Sequence, residues 1–336
     1  MISLSICIPT YNRAHYLKET LQAFLNQIKD KDNIEIVISD NASCDGTYNL
    51  VKEFREKFKI IKYYRNERNL GLDLNVLRCV EKAKGEYCWL FSDDDLPLPG
   101  VVDYVLKAIN RYSPPLLYLN FAGFIENEPY TVVLQYGKDK KDIIYYDSET
   151  MIKKHLLNHL SATVVKRELF LKYSWVIDKF KKMGLERGYC LIINHYVILN
   201  HPPPYVYLGK LSVAVRNPLR IDGNRYNPLT IIIDNARHFQ TLRKEGLISE
   251  ETEEFILNDR LKGFYRIILA MKCYNIAGYT KEKIDLIKQL CRKYRNFWYY
   301  LYPAIILPRW FLIFPYWFGR NIKRIIRRIL KRSPFQ

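Results

Sequence analysis

Three adjacent aspartates, Asp93, Asp94 and Asp95, follow the apolar run Tyr87–Phe91 after a single serine. Three neighbouring carboxylates cannot all stay ionised cheaply unless a cation or well-aimed hydrogen bonds offset them. Oxygen ligands at this density suit Mg²⁺ or Mn²⁺, and an ion held there bridges readily to a diphosphate. A solvated acidic turn is the plain alternative, and a position at the end of an apolar strand weighs against it. A fourth carboxylate, Asp40, closes the run Ile34–Ser39 and opens the segment Asp40-Asn41-Ala42-Ser43-Cys44-Asp45-Gly46-Thr47. It can accept from a nucleobase N–H or a ribose hydroxyl, or it can begin a turn while Asp45 or Ser43 caps the next helix. Asn69-Leu70-Gly71 precedes a third helical segment, where glycine lets the backbone approach a ligand and helix amides can face phosphate. No G-x-G-x-x-G and no G-x-x-x-x-G-K-S/T is present, so the ordinary dinucleotide and P-loop fingerprints are missing.

The elements that must position these groups alternate. Ile2–Ile8, Ile34–Ser39, Ile60–Tyr64 and Tyr87–Phe91 read as buried strands. Between them Ala14–Gln27, Thr47–Phe58 and Leu72–Ala83 carry helical spacing, with Asn12 placed to cap the first. Nearly continuous apolar strands between helices predict a mostly parallel central sheet with helices on both faces. In such sheets ligands collect at the carboxyl ends of the strands. Those ends carry Thr10-Tyr11-Asn12, Asp40-Asn41 and the three aspartates, so distant polar groups are expected to converge on one crevice. Further on, Pro99–Tyr112 reads as a helix and Leu116–Phe121, Ser161–Lys166 and Tyr205–Val215 as strands. Leu229–Leu242, Glu250–Tyr274 and Lys281–Lys293 read as helices.

The chain has 336 residues and a formal net charge of +18, which points to an anionic partner: nucleic acid, a phosphorylated substrate or a membrane surface. The charge is uneven. Residues 1–100 hold 14 Lys+Arg against 15 Asp+Glu, whereas residues 297–336 hold 8 and none. Seven cysteines with no C-x-x-C pair argue against a disulfide framework or structural zinc and fit a reducing cytosol. The N-terminus lacks the form of a signal peptide.

Pro9-Thr10-Tyr11-Asn12-Arg13, Asp40 to Thr47, Asn69-Leu70-Gly71 and Ser92-Asp93-Asp94-Asp95 stand in the order and spacing of the family 2 glycosyltransferases of GT-A fold. The chain resembles in particular the bacterial O-antigen transferases of the abequosyltransferase type, specifically over about Ile2–Leu106. The segment Leu160–Phe170 is similar to their acceptor-side strand and helix, less specifically. The resemblance implies a nucleotide-sugar site of Pro9, Thr10, Tyr11, Arg13, Asp40, Asn69, Gly71, Asp93 and Asp94. In it Tyr11 stacks on the base, Asp40 hydrogen-bonds it, and Asp93 and Asp94 hold the ribose and sugar side. Asp95 ligates a Mn²⁺ or Mg²⁺ ion on the diphosphate, and Asp94 can share it. Inversion at the sugar needs a general base on the opposite face. Glu186 is the first candidate and Asp178 the second; the Glu-Asp pair of many family members is absent.

The C-terminal run Phe297–Phe318 is long enough to span a bilayer, but Pro303, Pro308, Arg309 and Pro315 argue against a clean spanning helix. Asn321–Arg332 then places Ile322, Ile325, Ile326, Ile329 and Leu330 on one face and Lys/Arg elsewhere, the pattern of a basic helix on anionic lipid. The expected organisation is a GT-A domain over 1–220, a helical extension over 221–296 and a membrane-associating tail over 297–336. The expected protein is cytoplasmic, peripheral on the inner face of the membrane. It passes a sugar from a nucleotide donor to a lipid-linked or saccharide acceptor of surface polysaccharide. A nucleic-acid-binding protein and a metal-dependent nucleotidyltransferase are the rivals; the neutral first hundred residues disfavour nucleic acid.

Overall fold

The computed structural model describes residues 2–28, 31–125, 128–135, 139–155, 157, 159–185, 188–217, 228–274 and 279–308. The chain divides into two compact units, Met1–Arg220 and Ile221–Gln336. The first unit runs β1 (Leu4–Thr10), α1 (Ala14–Ile28), β2 (Ile34–Asp40), α2 (Thr47–Lys57), β3 (Ile61–Arg65), α3 (Leu72–Lys82), β4 (Tyr87–Leu90), β5 (Leu96–Pro97) and α4 (Val101–Tyr112). It continues with β6 (Leu116–Ile125), β7 (Glu128–Gln135), β8 (Ile143–Tyr145), α5 (Ser148–His155), β9 (Thr163–Lys166), α6 (Arg167–Lys172), α7 (Val176–Lys182), α8 (Tyr189–Leu199) and β10 (Tyr205–Asn217).

β1 and β2 are buried along their whole length because helices cover both faces. Leu4, Ile6 and Ile8, with Ile34, Ile36 and Ile38, face the apolar sides of α1, α2 and α4, represented by Leu17, Phe24, Val51 and Val105. Phe24 meets Trp89 and Phe91 edge-on at 5.4 and 4.7 Å, fixing β4 against α1. The alternate residues face α3, where the Cys79 thiol reaches the Val37 carbonyl. Gly85 enters β4 beside Ser5, and a Cβ there would stand 2.6 Å from the Ser5 nitrogen.

The ten strands form one sheet in the order β3-β2-β1-β4-β9-β6-β10-β5, with β7 on β6 and β8 on β10. The expectation of a mostly parallel sheet is corrected: the sheet is mixed. β3, β2, β1 and β4 are mutually parallel, and β10 is parallel to β6. β9 lies antiparallel between β4 and β6, and β5, β7 and β8 also pair antiparallel. Parallel neighbours need a crossover of a dozen or more residues, which α1, α2 and α3 supply; β6 and β7, two residues apart in sequence, pair antiparallel, and β9 reaches its place between β4 and β6 from far along the chain.

The second unit contains α9 (Pro228–Lys244), α10 (Glu250–Tyr274), α11 (Lys281–Cys291), a π-helical turn over Phe297–Leu301 and α12 (Tyr302–Ile306). The aromatic run therefore begins inside a core, with Phe297 and Leu301 buried. The Lys272 ammonium donates to the carbonyls of Ala304, Ile305 and Leu307, closing the end of α12. The basic segment Asn321–Arg332 lies outside the described residues. Among the described residues no helix is long and apolar enough to cross a membrane.

Candidate functional site

The register of the parallel strands sets the site. Thr10 stands opposite Asp40, and Cys7 opposite Leu90, so β1, β2 and β4 end at one rim. Past Leu90 the chain turns through the three aspartates. The Thr10 hydroxyl donates to Asp93 at 2.7 Å. Arg13, in the loop after β1, donates through one nitrogen to Asp93 at 2.9 Å and to Asp94 at 2.7 Å. The Ser92 hydroxyl donates to the other oxygen of Asp94 at 2.6 Å. Thr10, Arg13, Asp93 and Asp94, named from the sequence, thus form one cluster.

Asp95 turns the other way. It is buried, and its carboxylate accepts from the Ser161 hydroxyl at 2.5 Å and the Arg216 amide at 3.0 Å. Arg216, in β10, also donates through Nε to the Asp94 carbonyl and through Nη2 to Glu19. From α1, the Thr20 hydroxyl donates to the carbonyls of Asp93 and Asp95. Burial raises the carboxyl pKa of Asp93, and Asp94 adds to the rise while Arg13 and Thr10 oppose it. Burial likewise raises that of Asp95, with Asp94 adding to it against Ser161 and the Arg216 amide. The turn is an acidic cluster only partly neutralised by the protein.

Asp40 is fully buried and faces inward. One oxygen accepts from the Ser43 amide at 2.8 Å, and the other accepts from the Tyr63 hydroxyl at 2.5 Å with Arg65 Nε 3.7 Å away. Its charge is spent on holding the loop after β2 against β3. Asp45 joins two helix starts: it accepts from the Ala14 amide at 2.8 Å and from the Thr47 hydroxyl and amide at 2.6 and 3.2 Å. Partial burial opposes its charge, but these donors outweigh it and hold the carboxyl below the usual range. Asn12 does not cap α1 as expected; it has positive φ, and its side chain accepts from the Cys44 amide.

Asn69 and Gly71 enter an asparagine network. Asn41 donates to Asn69 at 2.6 Å and accepts from the Leu70 amide and from Asn66. Asn75 accepts from Ser39 and Asn66 and donates to the carbonyls of Ser39 and Thr10. Gly71 has φ +83°, which favours glycine at the start of α3. Tyr11 stands at the rim, 44% exposed, beside Pro9, which pairs with Ser39. Asp178 lies on the exposed side of α7, and no hydrogen bond or ion pair joins it to the aspartate turn. Glu186 lies outside the described residues, but the following Gly188 and Cys190 amides donate to Asp73 of α3.

The sequence reading missed Thr20, Asp73, Ser161 and Arg216 as supports. Each is an ordinary helix, loop or strand residue in the linear chain, with no local signal that Thr20, Ser161 and Arg216 meet the aspartate turn or that Asp73 holds the segment before α8.

The model of the glycosyl transferase family 2 matches residues 5–165. Abequosyltransferase RfbV of Salmonella typhimurium is 50% identical over 302 residues, covering 84% of this chain and 87% of that protein. A GalNAc(5)-diNAcBac-PP-undecaprenol beta-1,3-glucosyltransferase of Campylobacter jejuni is 31% identical over 112 residues, 33% of this chain and 36% of that protein. Among solved structures, Staphylococcus aureus TarS 1–349 in complex with UDP-GlcNAc superposes with a TM-score of 0.63 at 16% identity, over 86% of this chain and 79% of that one. The mannosyltransferase PcManGT of Pyrobaculum calidifontis, in complex with GDP-Man and Mn²⁺, gives 0.51 at 14% identity, over 96% and 86%. The α/β unit has the GT-A-like fold of these structures. With half of the aligned residues identical to RfbV over most of both chains, and the rim built as described, this chain is an enzyme of the family 2 glycosyltransferases.

Proposed function

We propose that the chain transfers one sugar from a nucleoside diphosphate donor, seated over the rim of β1, β2 and β4, to a lipid-linked or saccharide acceptor in bacterial surface-polysaccharide assembly. The observation that carries this reading is the cluster of Arg13, Asp93 and Asp94 at the carboxyl ends of parallel strands, where one guanidinium serves two carboxylates and a third lies adjacent. The undecaprenol-linked saccharide in the name of the Campylobacter relative supports the acceptor class, and TarS with UDP-GlcNAc supports the donor class.

The donor set suits a divalent cation. Asp94 is at the rim with hard oxygens, its side chain 21% exposed, while Asp95 is enclosed behind it. Among the described residues no group of three or more His, Cys, Asp or Glu is arranged to hold a metal by itself. A small hard cation uses one or two carboxylates and completes its shell with substrate phosphate oxygens. Bound there through Asp94, it would neutralise the departing diphosphate; Asp95, the ligand expected from the sequence, is instead turned inward onto Ser161 and the Arg216 amide. Arg13 holds Asp93 and Asp94 in register, and Thr10 fixes the Asp93 carboxylate. Tyr11 offers an exposed ring to the base. Asp40 shapes that pocket through the Ser43 loop. For an inverting transfer the acceptor hydroxyl gives its proton to a base across the sugar; Glu186 remains the first candidate and Asp178 the second.

The test is nucleotide release by purified protein with UDP-, GDP-, CDP- and dTDP-sugars, Mn²⁺ and a lipid-linked acceptor extract. Turnover with one donor is the expected result, and its absence with all four removes this reading. Membrane attachment through the tail is tested by removing residues 309–336. A cut at Phe297 would strip Phe297 and Leu301 from the second unit's core. The truncated protein is expected in the supernatant of anionic vesicles, and continued pelleting would assign lipid binding to another surface.

A further inference from the structure

The open edge of the sheet carries a second concavity, which starts beside the rim at the carboxyl end of β3 and runs along the outer side of α3. A cleft of about 660 Å³ is lined by β3, the loop that follows it and the outer side of α3. Four of its lining residues are cations, Arg65, Arg68, Arg78 and Lys82, against one acid, Glu67, a formal balance of +3. Residues 1–100 as a whole are balanced at 14 basic against 15 acidic, so composition alone does not produce this concentration.

The cations are poorly neutralised from within. Arg68 has no hydrogen bond or ion pair among the described residues. Among the described residues Lys82 has only the face of the Tyr64 ring, 5.3 Å from its ammonium. Arg78 pairs with Glu81 at 3.0 Å, but both side chains are well exposed, and such pairs contribute little. Arg65 donates to the Ser43 carbonyl at 2.9 Å and stands 3.7 Å from Asp40, so the cleft is tied to the loop after β2.

Charges on an edge strand often guard against pairing with another chain. That accounts for Arg65 at the end of β3. It does not account for Arg68, Arg78 and Lys82, which belong to the loop and the helix. Arginine forks beside an aromatic ring are the arrangement that grips phosphate oxygens while covering a carbon skeleton.

We propose that this cleft, through the cations along β3, its following loop and α3, is a binding site for a phosphate-bearing anion that needs no metal. Its counter-charges are protein side chains, so binding persists in EDTA and weakens with salt.

The test is calorimetric titration of the full chain with inorganic pyrophosphate in EDTA, comparing wild type with the R68E/K82E variant. Both residues are exposed and outside the transfer machinery, so fold and basal glycosyl transfer are retained. Arg111→Glu, on the exposed side of α4, serves as the control. The expected result is wild-type binding that weakens at least about tenfold in R68E/K82E and not in the control. Absence of wild-type binding, or equal binding in R68E/K82E, overturns the proposal. Pelleting with phosphatidylglycerol vesicles then separates the sources. Reduced retention of R68E/K82E identifies a lipid headgroup, and unchanged retention with weakened pyrophosphate binding identifies a soluble phosphate. A wild type that binds pyrophosphate but transfers no sugar counts against the proposed function alone.

Discussion

Buried acid occurs in both units, and the two are balanced in opposite senses. In the second unit Glu253 is fully buried and faces two cations. Lys293 lies 2.5 Å from one oxygen, which the Tyr294 hydroxyl also reaches, and Arg243 Nε lies 2.6 Å from the other, close enough for ion pairing though not aligned for a hydrogen bond. One negative charge meets two positive ones, and α9, α10 and the segment after α11 are stapled together. In the first unit Asp93 and Asp94 share the charge of Arg13, Asp95 has the Ser161 hydroxyl and the Arg216 amide, and the Arg216 guanidinium goes to a backbone carbonyl and to Glu19. A structural carboxylate is neutralised by its own chain. A carboxylate cluster left short of positive charge is arranged to receive it from outside.

The comparison is broken most directly at Asp94. Asp94→Asn is expected to lower kcat/KM by on the order of a thousandfold, about 4 kcal/mol of transition-state stabilisation, with the thermal midpoint kept. If the variant turns over like wild type, the deficit at the rim is not functional. Glu253→Gln should show the reverse pattern. Unfolding in urea is expected to reveal a loss of about 1–3 kcal/mol, a range discounted because Arg243 and Lys293 are 38% and 42% exposed and can rehydrate, with kcat retained. A fall in kcat with unchanged stability would reverse the two assignments.

Ser161→Ala sharpens the account of Asp95. It leaves a buried carboxylate with one donor fewer and is expected to cost about 1–2 kcal/mol in denaturant titration. The smallest effect is expected at Asp45, whose carboxyl is held below its usual range. Its ionised form contributes stability that is fully present above the unfolded value of about 4 and is lost as pH falls through the lowered native value. Asp45→Asn should therefore flatten the acid limb of the pH–stability curve, with a small loss of stability at neutral pH and nearly none at strongly acid pH. An identical acid limb in both proteins would remove that role.

The first four strands, the three intervening helices and the aspartate turn were legible because their signals are local. Ile34–Ser39 is apolar throughout, and Leu17, Leu21, Phe24 and Ile28 recur at helical spacing. Asp93 and Asp94 were found for the same reason, since a strand end followed by carboxylates is visible in five residues. The inward turn of Asp40 was not legible. It depends on Tyr63 and Arg65, more than twenty residues away, being brought alongside by strand pairing.

The sequence by itself determined that strands would alternate with helices and that acids would gather at their carboxyl ends, because side-chain periodicity and burial act within a few residues. Only the tertiary structure decided which acid faces the rim. Arg13 reaches Asp93 and Asp94 across 80 and 81 positions, while Ser161 and Arg216 draw Asp95 inward from 66 and 121 positions away. Those partners meet because β9 inserts antiparallel beside β4 and β10 lies against β5, a choice made by the packing of the whole sheet.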